Sequence, residues 1–243
     1  MRKLEIERLL AAQGFGSRRE CRGLVLAGRV TVGGEDCEDP SAQFEPADNL
    51  EYTVDGEAWT YRTQAYLMLN KPVGYECSHH PSHYPSVYSL LPRPLVVRGV
   101  QSVGRLDADT TGLLLFSDDG QFIHTYTSPK KKVPKVYEAR VKHPLDEAQC
   151  SALLQGVQLH DEPLPVAARR CDILADRLLE LTVTEGKYHL VKRMIAAAGN
   201  RVEGLHRRAI GNLSLPADLP EGQWRWLGPE ELAALAGQGE AAG

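Results

Sequence analysis

The chain has no apolar run long enough to cross a membrane. Its 243 residues contain nothing close to the roughly 18 consecutive apolar residues that a spanning helix requires. Its first ten residues, MRKLEIERLL, alternate charged with aliphatic side chains, whereas a secretory signal has a continuous apolar core. These absences lead us to expect a cytoplasmic protein with no membrane partner.

Cysteine is scarce, and its spacing argues against disulfide and redox chemistry. The five cysteines are widely separated, odd in number and form no C-x-x-C pair. Cys77, His79, His80 and His83 have the atom types that zinc binds, but prolines interrupt the segment and no second ligand pair follows. We expect reduced thiols, no metal, and a polar surface loop at this segment, with a zinc site and an RNA contact as its alternatives.

Positive charge is also in deficit, and a negative net charge taken alone argues against a nucleic-acid binder. The chain has 28 Lys and Arg against 32 Asp and Glu, a formal net charge of -4. Attraction to phosphate depends on the local density of Lys and Arg, however, and the distribution is uneven. Residues 1–34 contain seven basic and three acidic side chains, whereas residues 35–57 contain no basic one.

Two further basic clusters follow along the chain. One comprises Lys130, Lys131, Lys132, Lys135, Arg140 and Lys142, and the other Lys187, Lys192, Arg193, Arg201, Arg207 and Arg208. Together with the basic start, these clusters are candidates for a common phosphate path. The alternative is that each cluster is a solvated face with no partner.

The first 60 residues predict two short helices followed by a hairpin. Leucines at helical spacing predict a helix that includes Leu4 and ends at Gly14, and the S-R-R-E sequence at 17–20 is a capping box for a second helix. Residues 29–32 are expected to form a short strand, and residues 49–62 a hairpin that turns at Asp-Gly. The acidic segment 35–46 is expected to be a surface loop.

Beyond residue 62 the pattern changes to short apolar runs separated by Gly and Pro. The runs YLMLN, VVRGVQSVG, GLLLFS, KVYEARV and LLELTVT have strand length, while residues 146–154 and 188–198 have helical spacing. We expect a mixed α/β (α+β) protein: a small domain at 1–60, a larger domain at 63–235 and a mobile tail at 236–243. The larger domain should have a mainly antiparallel sheet, flanking helices and a central cleft.

Asp107 is the carboxylate with most chemical interest. The segment GRLDADTTGLLLFSDDG, residues 104–120, places it in a polar turn between apolar runs, where a rigid sheet can hold a loop residue toward a ligand. A nucleophilic carboxylate must be ionised, and a nearby cation favours that form. Two alternatives remain open: Asp107, Asp109 and Thr110 satisfy backbone groups of the loop, or the two aspartates bind magnesium.

Three ordered motifs resemble those of bacterial rRNA pseudouridine synthases. They are G-R-L-D-x-x-T-x-G-L-L-L from residue 104, K-V-Y at 135–137, and EGKYHLVKRM at 185–194 followed by GLHRRAIG. The E-G-K-Y-H form is similar to the enzymes of small-subunit rRNA. The stretch GSRRECRGLVLAGRVTVGG resembles an S4-like RNA-binding domain, so the resemblance covers nearly the whole chain.

The resemblance implies an enzyme that needs no cofactor and isomerises one uridine of 16S rRNA, numbered 516, to pseudouridine. Asp107 matches the essential aspartate, which would attack the ribose or assist elimination at it. Tyr137 matches the tyrosine that stacks on the base, and Lys192 the cation that pairs with the aspartate. The resemblance implies substrate contacts from Arg105, Thr111, Gly112, Lys135, His189 and Arg193, and RNA contacts from Arg18, Arg19, Arg22 and Arg29.

One departure keeps a second class of function open. Leu190 stands where many members of the resembled family have glutamine, so a polar contact to the base is absent. Leu190 therefore leaves open a non-catalytic rRNA-binding or ribosome-assembly factor. A synthase that acts on 23S rRNA is a further alternative. The expected partner is 16S rRNA or a small-subunit assembly intermediate, and the expected state is a monomer.

Overall fold

A computed structural model describes residues 3–237. The described chain divides into two compact units. The first comprises the amino-terminal residues up to Tyr66 together with Leu91–Gln101 and Ser117–Asp119, and the second comprises the rest. Residues 238–243, most of the tail predicted for 236–243, lie outside the described residues. None of the helices within 3–237 has the length and apolarity that a membrane crossing needs.

The elements of the first unit are short. Its helices are α1 (Ile6–Ala12), α2 (Arg18–Leu26) and α3 (Arg93–Arg98). Its strands are β1 (Leu4–Glu5), β2 (Val30–Val32), β3 (Glu35–Asp36), β4 (Gln43–Phe44), β5 (Glu51–Val54) and β6 (Glu57–Thr60). Strands β3-β2-β5-β6 form a four-stranded sheet in that order, and β1 pairs with β4.

Local sequence signals account for two features of this unit. The Ser17 hydroxyl accepts a hydrogen bond from the backbone N–H of Glu20, whose carboxylate accepts one from the backbone N–H of Ser17, so the predicted capping box is present at α2. The hairpin β5–β6 turns at Asp55 and Gly56, which both have positive φ, as a two-residue type I′ turn requires. Apolar residues of α1, α2 and these strands form one buried core.

Three local predictions were wrong. Leu4 belongs to β1 rather than to the first helix, and it pairs with Phe44. The acidic segment 35–46 contains two short strands, β3 and β4, instead of only loop. The first residues of the run VVRGVQSVG belong to the last turn of helix α3. Pro92 and Pro94 favour the start of this helix, and Gly99, at φ 92°, ends it. Within the run, only Gln101–Ser102 is strand.

The second unit is built on a nine-stranded sheet, and its elements are as follows. The strands are β7 (Tyr66–Lys71), β8 (Gln101–Ser102), β9 (Thr110–Ser117), β10 (Lys135–Val141), β11 (Arg170–Ala175), β12 (Leu178–Val183), β13 (Val202–Ile210), β14 (Leu213–Ser214) and β15 (Trp224–Trp226). The helices are α4 (Gly120–Thr127), α5 (Glu147–Gln155), α6 (Leu190–Ala197) and α7 (Pro229–Leu235).

Strand order in this sheet is β11-β12-β10-β13-β9-β7-β15, with β14 beside β13 and β8 beside β9. The β11–β12, β12–β10 and β10–β13 pairs are antiparallel, whereas β13 and β9 run parallel, with Leu205 opposite Thr110. Buried residues of α5 and α6 pack with those of β10 and β12 in one core. The α+β class with a mainly antiparallel sheet and flanking helices is confirmed.

Candidate active site

The backbone of the Asp107 turn is anchored by a buried lysine at the end of β7. Lys71 has no exposed surface, and its Nζ donates to the carbonyl oxygens of Thr110 at 2.9 Å, Pro72 at 3.0 Å and Asp107 at 3.1 Å. Burial lowers the pKa of Lys71. The turn also closes on itself, because the N–H of Thr110 donates to the carbonyl of Asp107 at 3.1 Å. The carboxylate of Asp107 is therefore presented by a fixed main chain.

Sequence reasoning missed Lys71. The signal was present, since this lysine directly ends the apolar run YLMLN and precedes Pro72. A lysine that closes a buried strand needs oxygen partners, because an unpaired ammonium is costly to bury. The sequence alone does not say which oxygens these are.

The two carboxylate oxygens of Asp107 each have a nitrogen partner. Lys192 Nζ lies 3.0 Å from Oδ2, and His189 Nε2 lies 3.2 Å from Oδ1. Lys192 also donates to Asp109 Oδ1 at 2.6 Å. An ammonium beside the carboxylate favours the ionised form that a nucleophile needs.

The pKa shifts of Lys192 and Asp109 follow from this pairing. Burial acts to lower the pKa of Lys192, but the hydrogen bonds and charges of Asp109 and Asp107 outweigh it and raise the pKa. Burial acts to raise the pKa of Asp109, yet the bond and charge of Lys192 lower it overall. Asp107 and Asp109 thus both face the ammonium of Lys192. Within residues 3–237 no group of three or more His, Cys, Asp or Glu side chains is placed to hold a metal ion.

Helix α6 brings Lys192 to Asp107 because its neighbours are buried. Leu190, Val191, Met194 and Ile195 face the core, which turns Lys192 toward the turn before β9. The adjacent Arg193 points elsewhere, as residues about 100° apart on a helix must. Its guanidinium pairs with Asp161, and Nη1 donates to the carbonyl of Tyr188 at 3.1 Å. Lys192 and not Arg193 is therefore the cation beside Asp107.

A cavity of about 380 Å³ opens beside Asp107. Five of the residues singled out from the sequence line it: Arg105, Asp107, Lys135, Tyr137 and His189. Their strands and loops converge because β10, β13 and β9 are neighbours in the sheet. The cavity combines a carboxylate, an aromatic ring and several donors, which suits a polar heterocycle joined to a sugar.

Other lining residues were not singled out as site residues. Arg207, on β13, is 3% exposed and donates from Nε to the carbonyl of Leu113 at 2.7 Å. The pKa of Lys135 is lowered, mainly by the burial of Lys135 and secondly by the charge of Arg207. Tyr188 and Leu190 also line the cavity, and Leu190 belongs to the core beneath it. Arg207 was recognised only as a member of a basic cluster, since nothing in the sequence distinguishes a buried arginine from a solvated one.

Thr111 and Gly112, which the resemblance places in contact with the substrate, do not line this cavity. Successive residues of a strand face opposite sides of a sheet, and Thr111 points away from the side of Thr110. Its hydroxyl is hydrogen-bonded to His206 Nδ1 at 2.9 Å. Gly112, at φ 101°, allows close approach of the main chain, because a Cβ there would lie 2.3 Å from the carbonyl oxygen of Arg207.

The arginines predicted to bind RNA lie in the first unit, and most of them are paired with acids. Arg18 Nη2 lies 2.8 Å from Glu7 Oε1, and Arg22 Nη1 lies 3.6 Å from Glu7 Oε2. Arg29 pairs with Asp55, with Nη2 donating to Oδ2 at 2.6 Å. The Arg29–Asp55 pair is exposed and contributes little to stability, so phosphate can replace that carboxylate at small cost. Glu7 is buried, so it needs a cation beside it, whereas the arginines that pair with it remain more than half exposed. Arg19 is exposed.

The Cys77–His83 segment is held by a carboxylate. The side chain of Glu76 accepts backbone hydrogen bonds of 2.8–3.0 Å from Ser82, His83 and Tyr84. These three bonds lower the pKa of Glu76. Cys77 Sγ accepts from the N–H of Leu106 at 3.4 Å, and the ring of His79 stacks on Tyr88 with centroids 3.7 Å apart. The segment is therefore an ordered loop whose cysteine contacts the residue before Asp107.

Comparison with known proteins gives two family matches. Residues 65–197 match the model described as RNA pseudouridylate synthase, and residues 6–50 match the S4 domain. The matched ranges contain Asp107, Tyr137 and Lys192 in the first case, and all four predicted RNA-binding arginines in the second.

Individual relatives are similar over nearly their full length. The ribosomal small subunit pseudouridine synthase A of Haemophilus influenzae is 37% identical, over 96% of this chain and 99% of that protein. The protein of the same name from Escherichia coli is 38% identical, over 92% and 96%. A solved structure titled as a pseudouridylate synthase is 37% identical, covers 96% of this chain and 99% of its own, and has a TM-score of 0.67.

Proposed function

We propose that the substrate of this protein is one uridine of 16S rRNA. The premise is that the chain belongs to the RNA pseudouridylate synthase family and is a pseudouridine synthase. The relatives named above are small-subunit enzymes by name and match this chain almost end to end. Uridine 516 is the position that the sequence resemblance suggests. The S4 domain binds RNA and brings the enzyme to its target.

The observation that carries the proposal is the geometry around Asp107. Pseudouridine formation breaks the bond between ribose C1′ and N1 of uracil, lets the base turn, and joins C1′ to C5. C5 then releases its proton and N1 gains one, so the product is an isomer of uridine. An ionised carboxylate at the sugar can attack C1′ or stabilise the charge that elimination leaves there. The carboxylate of Asp107 is paired with the Lys192 ammonium at 3.0 Å, at the wall of a cavity of about 380 Å³.

Tyr137 and Lys192 have separate roles in this proposal. The uridine must leave its stack to enter the cavity, so it loses the faces of its neighbours. The ring of Tyr137, which lines the same cavity as Asp107, replaces one of those faces. Lys192 holds the carboxylate in position, and Arg105, which is exposed at the cavity, contacts the RNA.

Pseudouridine mapping of rRNA from cells with and without this protein tests the substrate. We expect a single 16S position, 516, to lose pseudouridine in the deletion strain and to regain it on complementation. Purified protein incubated with naked 16S rRNA and with small-subunit assembly particles then identifies which form it accepts. A missing site in 23S rRNA instead would assign the protein to the large subunit, and unchanged maps of both rRNAs would contradict the proposal.

The competing function is a non-catalytic rRNA-binding or assembly factor, and Leu190 is the observation that favours it. Leu190 lines the cavity where a polar side chain could contact the base. It is buried in the core cluster, however, and it leaves the Asp107–Lys192 pair intact. A binding-only protein would form no pseudouridine on any rRNA or particle but would lose RNA affinity when Arg18, Arg19 and Arg22 are replaced.

A further inference from the structure

We propose that Tyr188 and His189 form a stacking platform at the rim of the Asp107 cavity, on which a base next to the target uridine stacks. Tyr188 is 69% exposed, more than the other exposed tyrosine, Tyr84, at 52%. An exposed aromatic ring gives up the burial that normally stabilises such side chains. Tyr188 also lines the cavity beside Asp107, so RNA bound at this cavity comes close to its ring.

The two rings are already stacked on each other. Their centroids lie 3.7 Å apart with an interplanar angle of 20°. One face of Tyr188 is therefore covered by His189, and its high exposure leaves the remaining surface open to solvent. A base added there would extend a stack that the protein has already ordered, so little conformational entropy would be lost on binding.

The platform is fixed relative to the reacting centre. His189 Nε2 lies 3.2 Å from Asp107 Oδ1, and His189 has φ 48° at the start of α6, the helix that contains Lys192. The carbonyl of Tyr188 accepts a hydrogen bond from Arg193 Nη1 at 3.1 Å. Residues 188 and 189 are thus tied by one contact to Asp107 and by another to α6, the helix whose Lys192 pairs with that carboxylate.

The size of the cavity explains why a second base needs a place outside it. At about 380 Å³, the cavity is at the small end of ligand sites and suits one nucleoside. When a uridine enters, its neighbour in the RNA loses a stacking face as well. Every base has a π face, so an aromatic platform serves that neighbour without hydrogen-bond readout.

The inference rests on the proposed function, since it requires an RNA substrate. Its test compares wild type, Tyr188→Phe, Tyr188→Ala and the matched control Tyr84→Ala, all as the full chain. Two readouts are measured on a synthetic 16S rRNA fragment that contains the target uridine: Kd by filter binding, and conversion by tritium release from C5-labelled uridine. Tyr188→Ala should weaken binding by about 5- to 150-fold, while Tyr188→Phe and Tyr84→Ala stay close to wild type.

Abasic RNA separates base stacking from a purely structural role of Tyr188 in holding His189. Two further fragments lack the base on the 5′ or on the 3′ side of the target. On one of them, Tyr188→Ala and wild type should bind equally, because the partner of the ring is gone. An equal penalty on all three fragments, or no penalty beyond that of Tyr84→Ala, would overturn the platform.

The two proposals fail in different ways. Absence of conversion by wild type on this fragment and on 16S particles would refute the proposed substrate. The binding readout decides the platform even then, because it compares Tyr188→Ala with Tyr84→Ala without requiring turnover. Normal conversion with unchanged Kd in Tyr188→Ala would refute the platform alone.

Discussion

Replacing Lys71 by methionine removes the ammonium that anchors the Asp107 turn while keeping an apolar stem of similar length. Four carbonyl oxygens, at 2.9–3.4 Å, lose this donor in a buried site, although the carbonyl of Asp107 keeps its bond from the N–H of Thr110. Each orphaned buried acceptor costs about 1–3 kcal/mol, and the avoided desolvation of the charge offsets part of the sum. We therefore expect Lys71→Met to lower the free energy of unfolding by about 2–5 kcal/mol.

Activity should fall further than stability alone explains. The turn that Lys71 holds also presents the Asp107 carboxylate, and a displacement of about 1 Å at a reacting group can cost about 100-fold in rate. Urea unfolding followed by tryptophan fluorescence measures the first effect, since Trp224 and Trp226 lie in the same unit as Lys71. Tritium release at a temperature where the variant is fully folded measures the second.

Asn70→Ala is the matched control for Lys71→Met. It removes one buried hydrogen bond, from Nδ2 to the carbonyl of Leu219 at 2.9 Å, without touching the Asp107 turn. It should cost about 1 kcal/mol and leave the conversion rate of the folded enzyme unchanged. Equal stability of Lys71→Met and wild type, or a conversion rate no lower than that of Asn70→Ala, would refute the anchoring argument.

Three other features yield predictions. Backbone hydrogen bonds lower the pKa of Glu76, so its loop contacts are complete at neutral pH and weaken only as the pH falls through that lowered pKa. Glu76→Gln should therefore raise amide hydrogen exchange in the loop at neutral pH, and unchanged exchange would contradict this. Gly112→Ala should destabilise the protein by about 2 kcal/mol or more, because the backbone would be strained and the new Cβ would clash with the main chain. Gly120→Ala is the control, since a Cβ there meets no atom within 4 Å, and equal melting temperatures of the two variants would refute the prediction. Cys150 Sγ and Cys171 Sγ lie 2.6 Å apart, so hydrogen peroxide should oxidise the two thiols to a disulfide with release of two waters; non-reducing peptide mapping that finds only free thiols would refute this.

Features specified by neighbouring residues were predictable from the sequence. The capping box of α2 and the Asp-Gly turn of β5–β6 each depend on contacts within about four residues, and both are present. Helix α6 was expected because its apolar residues recur at helical spacing, and the same spacing separates Lys192 from Arg193. The side-by-side position of Lys192 and Asp107 needed the fold as well, because 85 residues separate them.

Features that depend on distant partners escaped the sequence. The oxygens around Lys71 come from a turn 36 to 39 residues away. The acids that pair with Arg18 and Arg29 lie 11 and 26 residues away, so a cluster that looked uncompensated is partly neutral. Thr111 was assigned to the substrate by motif position, but strand alternation turns it to the opposite side of the sheet from Thr110.

Asp107→Asn tests the central claim most directly, because it removes one charge and almost no volume. The variant should bind the 16S rRNA fragment with the Kd of wild type, since RNA affinity comes from other groups. Its tritium release should fall to the level of a reaction without enzyme, because an amide can neither attack C1′ nor stabilise charge there as an anion does. Pseudouridine formation by Asp107→Asn at the wild-type rate would contradict the account.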